Sequence, residues 1–104
     1  MSKSEKQKMI EGENYYSSDP ELVADRLRAI DLCFHFNHTL PSQQQMRKEL
    51  LEALLPNVDK LAEITGPFFC DYGYNIKIGQ RFYANTDLTI LDIAPVTIGD
   101  DVMF

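Results

Sequence analysis

Few side chains in this sequence stand where they could do metal or covalent chemistry. His35 and His38 are three residues apart, a separation that could bring two imidazoles to one face of a helix and ligate a metal. No third His, Cys or acidic cluster accompanies them. Asn37-His38 also falls where a helix would end and polar side chains bond its last carbonyls, so no metal site is expected. The two cysteines, Cys33 and Cys70, are far apart and lack CxxC spacing, which reads as buried free thiols rather than a disulfide or a redox motif. The sequon Asn37-His38-Thr39 would matter only in a secreted chain.

Charge and length narrow the classes of partner. Ten Lys and Arg against sixteen Asp and Glu give a net charge of -6, and no dense basic stripe offsets it, so nucleic acid is not an expected partner. With 104 residues, 44% of them apolar and 25% charged, there is room for one ordinary domain or a small domain plus a piece of another. No apolar run approaches the ~20 residues that a membrane helix needs. The basic start Met1-Ser2-Lys3-Ser4-Glu5-Lys6-Gln7-Lys8 is followed by no signal-like apolar region, and a cytoplasmic location without membrane contact is the expectation.

The first half reads as helices. Ser4-Glu5-Lys6-Gln7 has the form of a capping box, and Gly12 suits the C-terminal end of a short helix. Ser18 or Asp19, Pro20 and Glu21 then predict the start of a helix over about 20–37, with Leu22, Leu27, Ile30, Cys33 or Phe34 and Asn37 as its inward stripe. Asp25, Arg28 and Asp31 fall opposite that stripe. Pro41-Ser42, with a second capping box in Ser42-Gln43-Gln44-Gln45, predicts a third helix whose apolar face is Met46, Leu50 and Ala53 or Leu54, stopped at Pro56-Asn57. Such a thin amphipathic layer needs something to cover.

From Gly66 onward β-branched and aromatic residues take over, punctuated by Gly, Asn and Asp. Ile78, Ala84, Ile90 and Val96 recur every six residues, and Phe82, Leu88 and Ala94 follow the first three at a spacing of four. Two apolar sites per hexad suggest short strands joined at the corners of a coil, although an ordinary meander can mimic the period. The pattern slips by two and restarts at Ile98-Gly99, so Ile78-Gly79 and Ile98-Gly99 would be equivalent steps one coil apart, with Pro95 at the irregular corner.

Taken together, Gly12, Asp25-Arg26-Leu27-Arg28-Ala29, Phe36-Asn37-His38, Cys70-Asp71-Tyr72-Gly73-Tyr74-Asn75-Ile76, Gly79, Phe82-Tyr83-Ala84-Asn85 and Ile98-Gly99-Asp100 resemble one family. It is that of the maltose and galactoside O-acetyltransferases, among the hexapeptide-repeat acyltransferases, and the likeness runs over residues 5 to 104. Cys70 to Asn75 and Leu91-Asp92-Ile93 look more like the maltose branch.

The resemblance implies an α+β fold: a helical domain over 1–60, then the first coil or coils of a left-handed parallel β-helix from 66 to 104, incomplete, within a homotrimer. It implies acetyl transfer from acetyl-CoA to a sugar hydroxyl, with a His as general base and a donor steadying the oxyanion. It places Asp71, Tyr83 and Asn85 in the acceptor pocket, where a carboxylate, a phenol and an amide suit vicinal hydroxyls. By residue type alone, Asp71 and Asn85 could equally be turn residues and Tyr83 a packing residue. Ser17 and Ile93 stand where the galactoside branch carries acidic contacts, which favours a glucose- or maltose-like acceptor.

The family's catalytic His and most of its acetyl-CoA contacts lie C-terminal to the matched segment, so no catalytic residue is assigned in this chain. His35 and His38 occupy positions that the family uses structurally. The chain is therefore expected to be a truncated N-terminal portion, inactive alone. The alternative is a non-catalytic protein that binds sugar or joins the trimer of a longer relative.

Overall fold

The fold is built from three helices followed by six short strands, seen in a computed structural model that describes residues 3–59 and 61–104. Met1, Ser2 and Lys60, which belong to the expected 1–60 segment, lie outside the described residues. Helix α1 spans Glu5–Ile10, and Ser4 Oγ accepts the Gln7 N–H at 3.0 Å as its cap. The helix closes with a paired-carbonyl motif: Gly12 N–H donates to Met9 O and Glu13 N–H to Lys8 O, with Gly12 at φ +79°.

Helix α2, Pro20–Asn37, starts at Asp19, whose carboxylate accepts the Glu21 N–H at 3.1 Å. Its buried face differs from the expected one: Leu22, Ala29, Cys33 and Phe36 point inward, while Leu27, Ile30 and Phe34 lie exposed beside Val23 on a second apolar stripe. Small side chains explain the difference. Ala29 and Cys33 let the helix axis approach a strand closely, and an inner face built on them is quiet in a search for large residues. Asp25 consequently faces the strands rather than solvent.

Helix α3, Gln44–Leu54, begins later than expected. Its N-cap is Gln43, no side chain caps it, and Ser42 plays no such part. The Gln43 side chain instead accepts the Leu40 N–H. Leu50 and Leu54 are buried, whereas Met46 is exposed.

All strand pairing is parallel and offset by twenty residues. β1 (Glu63–Ile64) pairs with β4 (Tyr83–Ala84), β2 (Phe68–Cys70) with β5 (Leu88–Ile90), and β3 (Ile76–Ile78) with β6 (Val96–Ile98). Three faces repeating at one offset make a coil, and Ile78 does sit against Ile98. Single bridges extend the same offset, Val58 to Ile78 and Tyr83 to Met103. Strand pairing thus begins at Glu63, ahead of Gly66.

Ile64, Phe68, Ile76, Ile78, Phe82, Ala84 and Ile90 fill the coil interior, joined by Phe36, Leu50, Leu54 and Leu55 from the helical layer. Ala94 is exposed, contrary to its place in the hexad pattern. The two-residue slip falls between β5 and β6, where the corner buries Asp92 instead of continuing the apolar rhythm.

The corner below it, residues 71–75, is wedged against α3. Gly73 has φ +87°, and a Cβ there would lie 2.1 Å from the Leu54 carbonyl oxygen. Gly73→Ala should therefore cost at least about 3 kcal/mol in urea unfolding, combining backbone strain with a clash against main chain. Gly99→Ala, where a Cβ meets nothing within 4 Å, should change stability by no more than about 0.5 kcal/mol.

Candidate functional site

The corner between β2 and β3 carries the densest set of polar contacts in the molecule's core. Asp92 is fully buried, and its carboxylate accepts four backbone N–H groups: Asp71 at 3.0 Å and Tyr72 at 2.9 Å on Oδ1, Gly73 at 2.7 Å and Asn75 at 3.2 Å on Oδ2. Asn75 returns the contact, its Nδ2 donating to Asp92 O at 2.8 Å and to Ile93 O at 3.3 Å. A buried carboxylate is tolerable only when its lone pairs are met in this way.

From the other side, α2 grips the same corner. Arg26 donates from Nη1 to Tyr72 Oη at 2.8 Å and from Nη2 to Ser17 O at 2.7 Å. Tyr74 Oη donates to Asp25 Oδ2 at 2.8 Å, and Lys6 Nζ stands 4.3 Å over the Tyr74 ring. Burial and the bond to Asp25 hold the Tyr74 hydroxyl well above its ordinary pKa. The corner is thus fixed by a carboxylate beneath it and by two helix side chains above.

One group there is left unsatisfied. Asp71 Oδ2 is buried and has no hydrogen-bond partner among the described residues. Asp71 lines a cleft of about 300 Å³ with Tyr15, Ser17, Arg26, Tyr72 and Ile93. Burial pushes its carboxyl above the ordinary value, the neighbouring Asp92 charge adds to the rise, and Arg26 opposes it. Chemically, the cleft offers an unused acceptor beside a cation that bonds Tyr72 and Ser17, with a half-exposed apolar wall at Ile93.

The three residues expected to line one pocket do not share a cavity in the single chain. Tyr83, on β4, lines a separate groove of about 650 Å³ between α3 and the β1–β4 face. Asn85 is exposed at the corner after β4 and donates its backbone N–H to Phe104 O at 3.1 Å.

His38 acts as the C-cap of α2, its Nδ1 2.8 Å from Phe34 O and its ring stacked on Phe34. Among the described residues no three His, Cys, Asp or Glu gather into a metal-binding group. No helix among them is long and apolar enough to cross a membrane.

Arg26, Tyr72 and Asp92 were not assigned roles from sequence. The signal for Asp92 was present: a lone acid inside Ile90-Leu91-Asp92-Ile93 has to be either exposed or completely satisfied.

Comparison with known proteins agrees with this architecture. Residues 8–59 match the family model of the maltose acetyltransferase hexapeptide capping motif. Nodulation protein L of Rhizobium meliloti (strain 1021) is 43% identical over 100 residues, which cover 96% of this chain and 55% of that protein. The crystal structure of a maltose O-acetyltransferase from Clostridium difficile 630 superposes with a TM-score of 0.93 at 39% identity, covering 99% of this chain and 55% of the other. A hexapeptide-repeat acetyltransferase from Vibrio cholerae O1 biovar eltor, solved with acetyl coenzyme A, gives a TM-score of 0.82 at 31% identity over 98% of this chain and 55% of that one. The chain spans about half the length of the curated relatives it matches.

Two substitutions separate the roles of the paired acids. Asp92→Ala leaves four buried N–H groups without an acceptor and should cost at least about 3 kcal/mol in urea unfolding, with Asp92→Asn falling between it and the parent. Asp71 behaves oppositely. Its native pKa lies above its unfolded value, so its contribution is most favourable below the ordinary carboxylate range and is lost as pH rises through the native value. Asp71→Asn should therefore stabilise the fold at pH 7, by at most about 1 kcal/mol, and the gain should vanish near pH 3 in paired thermal melts.

Proposed function

Because the chain belongs to the family of the maltose acetyltransferase hexapeptide capping motif, we propose that it supplies the acceptor-binding segment of an acetyl-CoA-dependent O-acetyltransferase acting on a glucose- or maltose-like sugar. The observation that carries this reading is the buried Asp71 Oδ2 with no protein donor, in a cleft walled by Arg26, Tyr72, Ser17 and Ile93. An acceptor without a donor favours a neutral, hydroxyl-rich ligand, since each sugar hydroxyl brings a proton to donate. An anionic ligand would meet the Asp71 carboxylate in the same small space. Ser17 and Ile93 supply no further carboxylate, which supports a glucose-like over a galactoside-like acceptor.

Tyr83 and Asn85 enter the proposal as contacts from a neighbouring subunit of a homotrimer, which accounts for their standing apart from Asp71 within one chain. In the reaction, the sugar oxygen attacks the thioester carbonyl as a His base takes its proton, the new C–O bond forms, the C–S bond breaks, and coenzyme A leaves as the thiol. By the family resemblance, that base and most contacts to acetyl-CoA fall outside the segment matched here, and none is assigned to a residue of this chain. What this chain contributes is orientation: Asp71 receives the sugar, and Asp92 with Arg26 holds Asp71 in place.

Two measurements test the reading. In calorimetric titrations the chain should bind maltose or glucose saturably and a methyl galactoside at least tenfold more weakly, with Asp71→Asn losing at least tenfold in maltose affinity. A chimera joining this chain to the remaining coils of the Clostridium difficile maltose O-acetyltransferase should release coenzyme A in the presence of maltose, and Asp71→Asn should raise its KM for the sugar. A folded chimera that hydrolyses or transfers nothing, or that acetylates galactosides equally well, sinks the assignment.

A further inference from the structure

Cys33 and Cys70 take no part in the acceptor cleft, yet they meet across the junction of the two layers. Cys33 lies on the inner face of α2, one turn after Ala29, and Cys70 is the last residue of β2. Their Sγ atoms are 3.9 Å apart although the residues are 37 positions apart in sequence, and both side chains are buried. Among the described residues, the one side-chain hydrogen bond of either sulfur is to the other.

A disulfide needs an S–S distance of about 2.05 Å, so closure asks for an approach of about 2 Å, which small rotations about the two Cα–Cβ bonds can share. The surrounding backbones already sit in a fixed relation. Asn37, one turn beyond Cys33, clasps the edge of β2 with both ends of its amide, donating to Phe68 O at 3.0 Å and accepting the Phe68 N–H at 2.8 Å.

We propose that Cys33 and Cys70 form a dithiol modification site, oxidised by a low-molecular-weight disulfide to an intramolecular cross-link that staples α2 to β2. The shared hydrogen bond lowers the Cys33 thiol and, with burial, holds Cys70 up, so Cys33 supplies the first thiolate. That thiolate attacks one sulfur of the reagent, its S–S bond breaks and one small thiol leaves. Cys70 then gives up its proton to solvent and attacks Cys33 Sγ in the mixed disulfide, which expels the second small thiol. Two protein thiols are oxidised and one small disulfide is reduced. Because both sulfurs are buried, the reagent enters when the inner face of α2 lifts from β2, and the reaction reports that local opening.

Cys70 immediately precedes Asp71, and α2 carries Arg26, so the staple would tie together the two elements that form the cleft. That consequence rests on the proposed acceptor site; the cross-link itself does not.

The test is exposure of the folded chain to glutathione disulfide. Intact mass should show loss of two hydrogens and no glutathione adduct, the two free thiols should disappear from a titration in denaturant, and dithiothreitol should restore both. The unfolding midpoint should rise by about 10 °C in the oxidised form, since the closed loop is long. Cys70→Ser should stop at a single adduct, Cys33→Ser should react far more slowly, and neither should show the rise. Two persistent free thiols under conditions that oxidise the unfolded chain, independent adducts on both cysteines, or a cross-link that lowers the midpoint would each overturn the proposal. The wild-type mass and its reversal by reductant decide the matter even where a serine variant fails to fold. A cross-link that forms while maltose still fails to bind would refute the acceptor site and leave the dithiol site standing.

Discussion

The Asp92 carboxylate is the point on which the junction of the two layers depends. Four N–H groups from residues 71 to 75 converge on it, and none of them has a strand partner to turn to, because the chain leaves β2 there and has not yet entered β3. Each buried N–H left unmet costs on the order of 1–3 kcal/mol, so an irregular corner could not be buried beneath a helical layer without such an acceptor. With it in place, Tyr72 and Tyr74 project outward at fixed angles and meet Arg26 and Asp25. The helices are therefore docked on a polar geometry as well as on the apolar surface of Phe36, Leu54 and Phe68.

Periodicity and irregularity divide the labour in this chain. Inward residues at hexad spacing give the coil its faces, and the constant offset of twenty residues stacks like on like, as with Ile78 on Ile98 and Ala84 on Ile64. Corners repeat as well. Arg81 and Asp101, twenty apart, both adopt a left-handed backbone near φ +60° and pair with each other across successive coils. The departure from the six-residue rhythm occurs where a polar corner had to be accommodated, and that corner is where the cleft lies.

That division also explains what could be read in advance. The coil was legible in part: the hexad spacing and the slip of two, which reappears as the displacement between Ile78 and Ile98, suggest it, but a meander can mimic the period and the family resemblance decides between them. Helices α1 and α2 were legible from Ser4, Asp19 and Pro20, whose caps act locally. The inner face of α2 was not, since Leu27, Ile30 and Phe34 form a larger apolar stripe than Ala29 and Cys33, and only the position of β2 decides which one is covered. The start of α3 was misplaced because Ser42 is by type the better cap, whereas the helix begins after Gln43 with no side-chain cap and the Gln43 amide turns back to Leu40. The structural role of Asp92 was not legible for a different reason. Its partners are main-chain groups twenty residues away, which carry no side-chain signature at all.

Two acids close together in one corner have opposite fates. Asp92 is entirely buried and entirely satisfied; Asp71, its neighbour across the coil, keeps a buried oxygen with no partner and a carboxyl pushed above its ordinary value. If packing alone governed the corner, an unpaired acceptor beside a second negative charge would be a poor choice at position 71, and a neutral side chain would serve the fold better. Arg26 stands near enough to temper the charge, and two of its five N–H donors go to Tyr72 and Ser17. Asp71 Oδ2 is left without a donor among the described residues. Such an arrangement lowers stability unless water or a ligand in the cleft donates to Asp71, and in the proposed reading a hydroxyl-bearing ligand takes that place without adding charge.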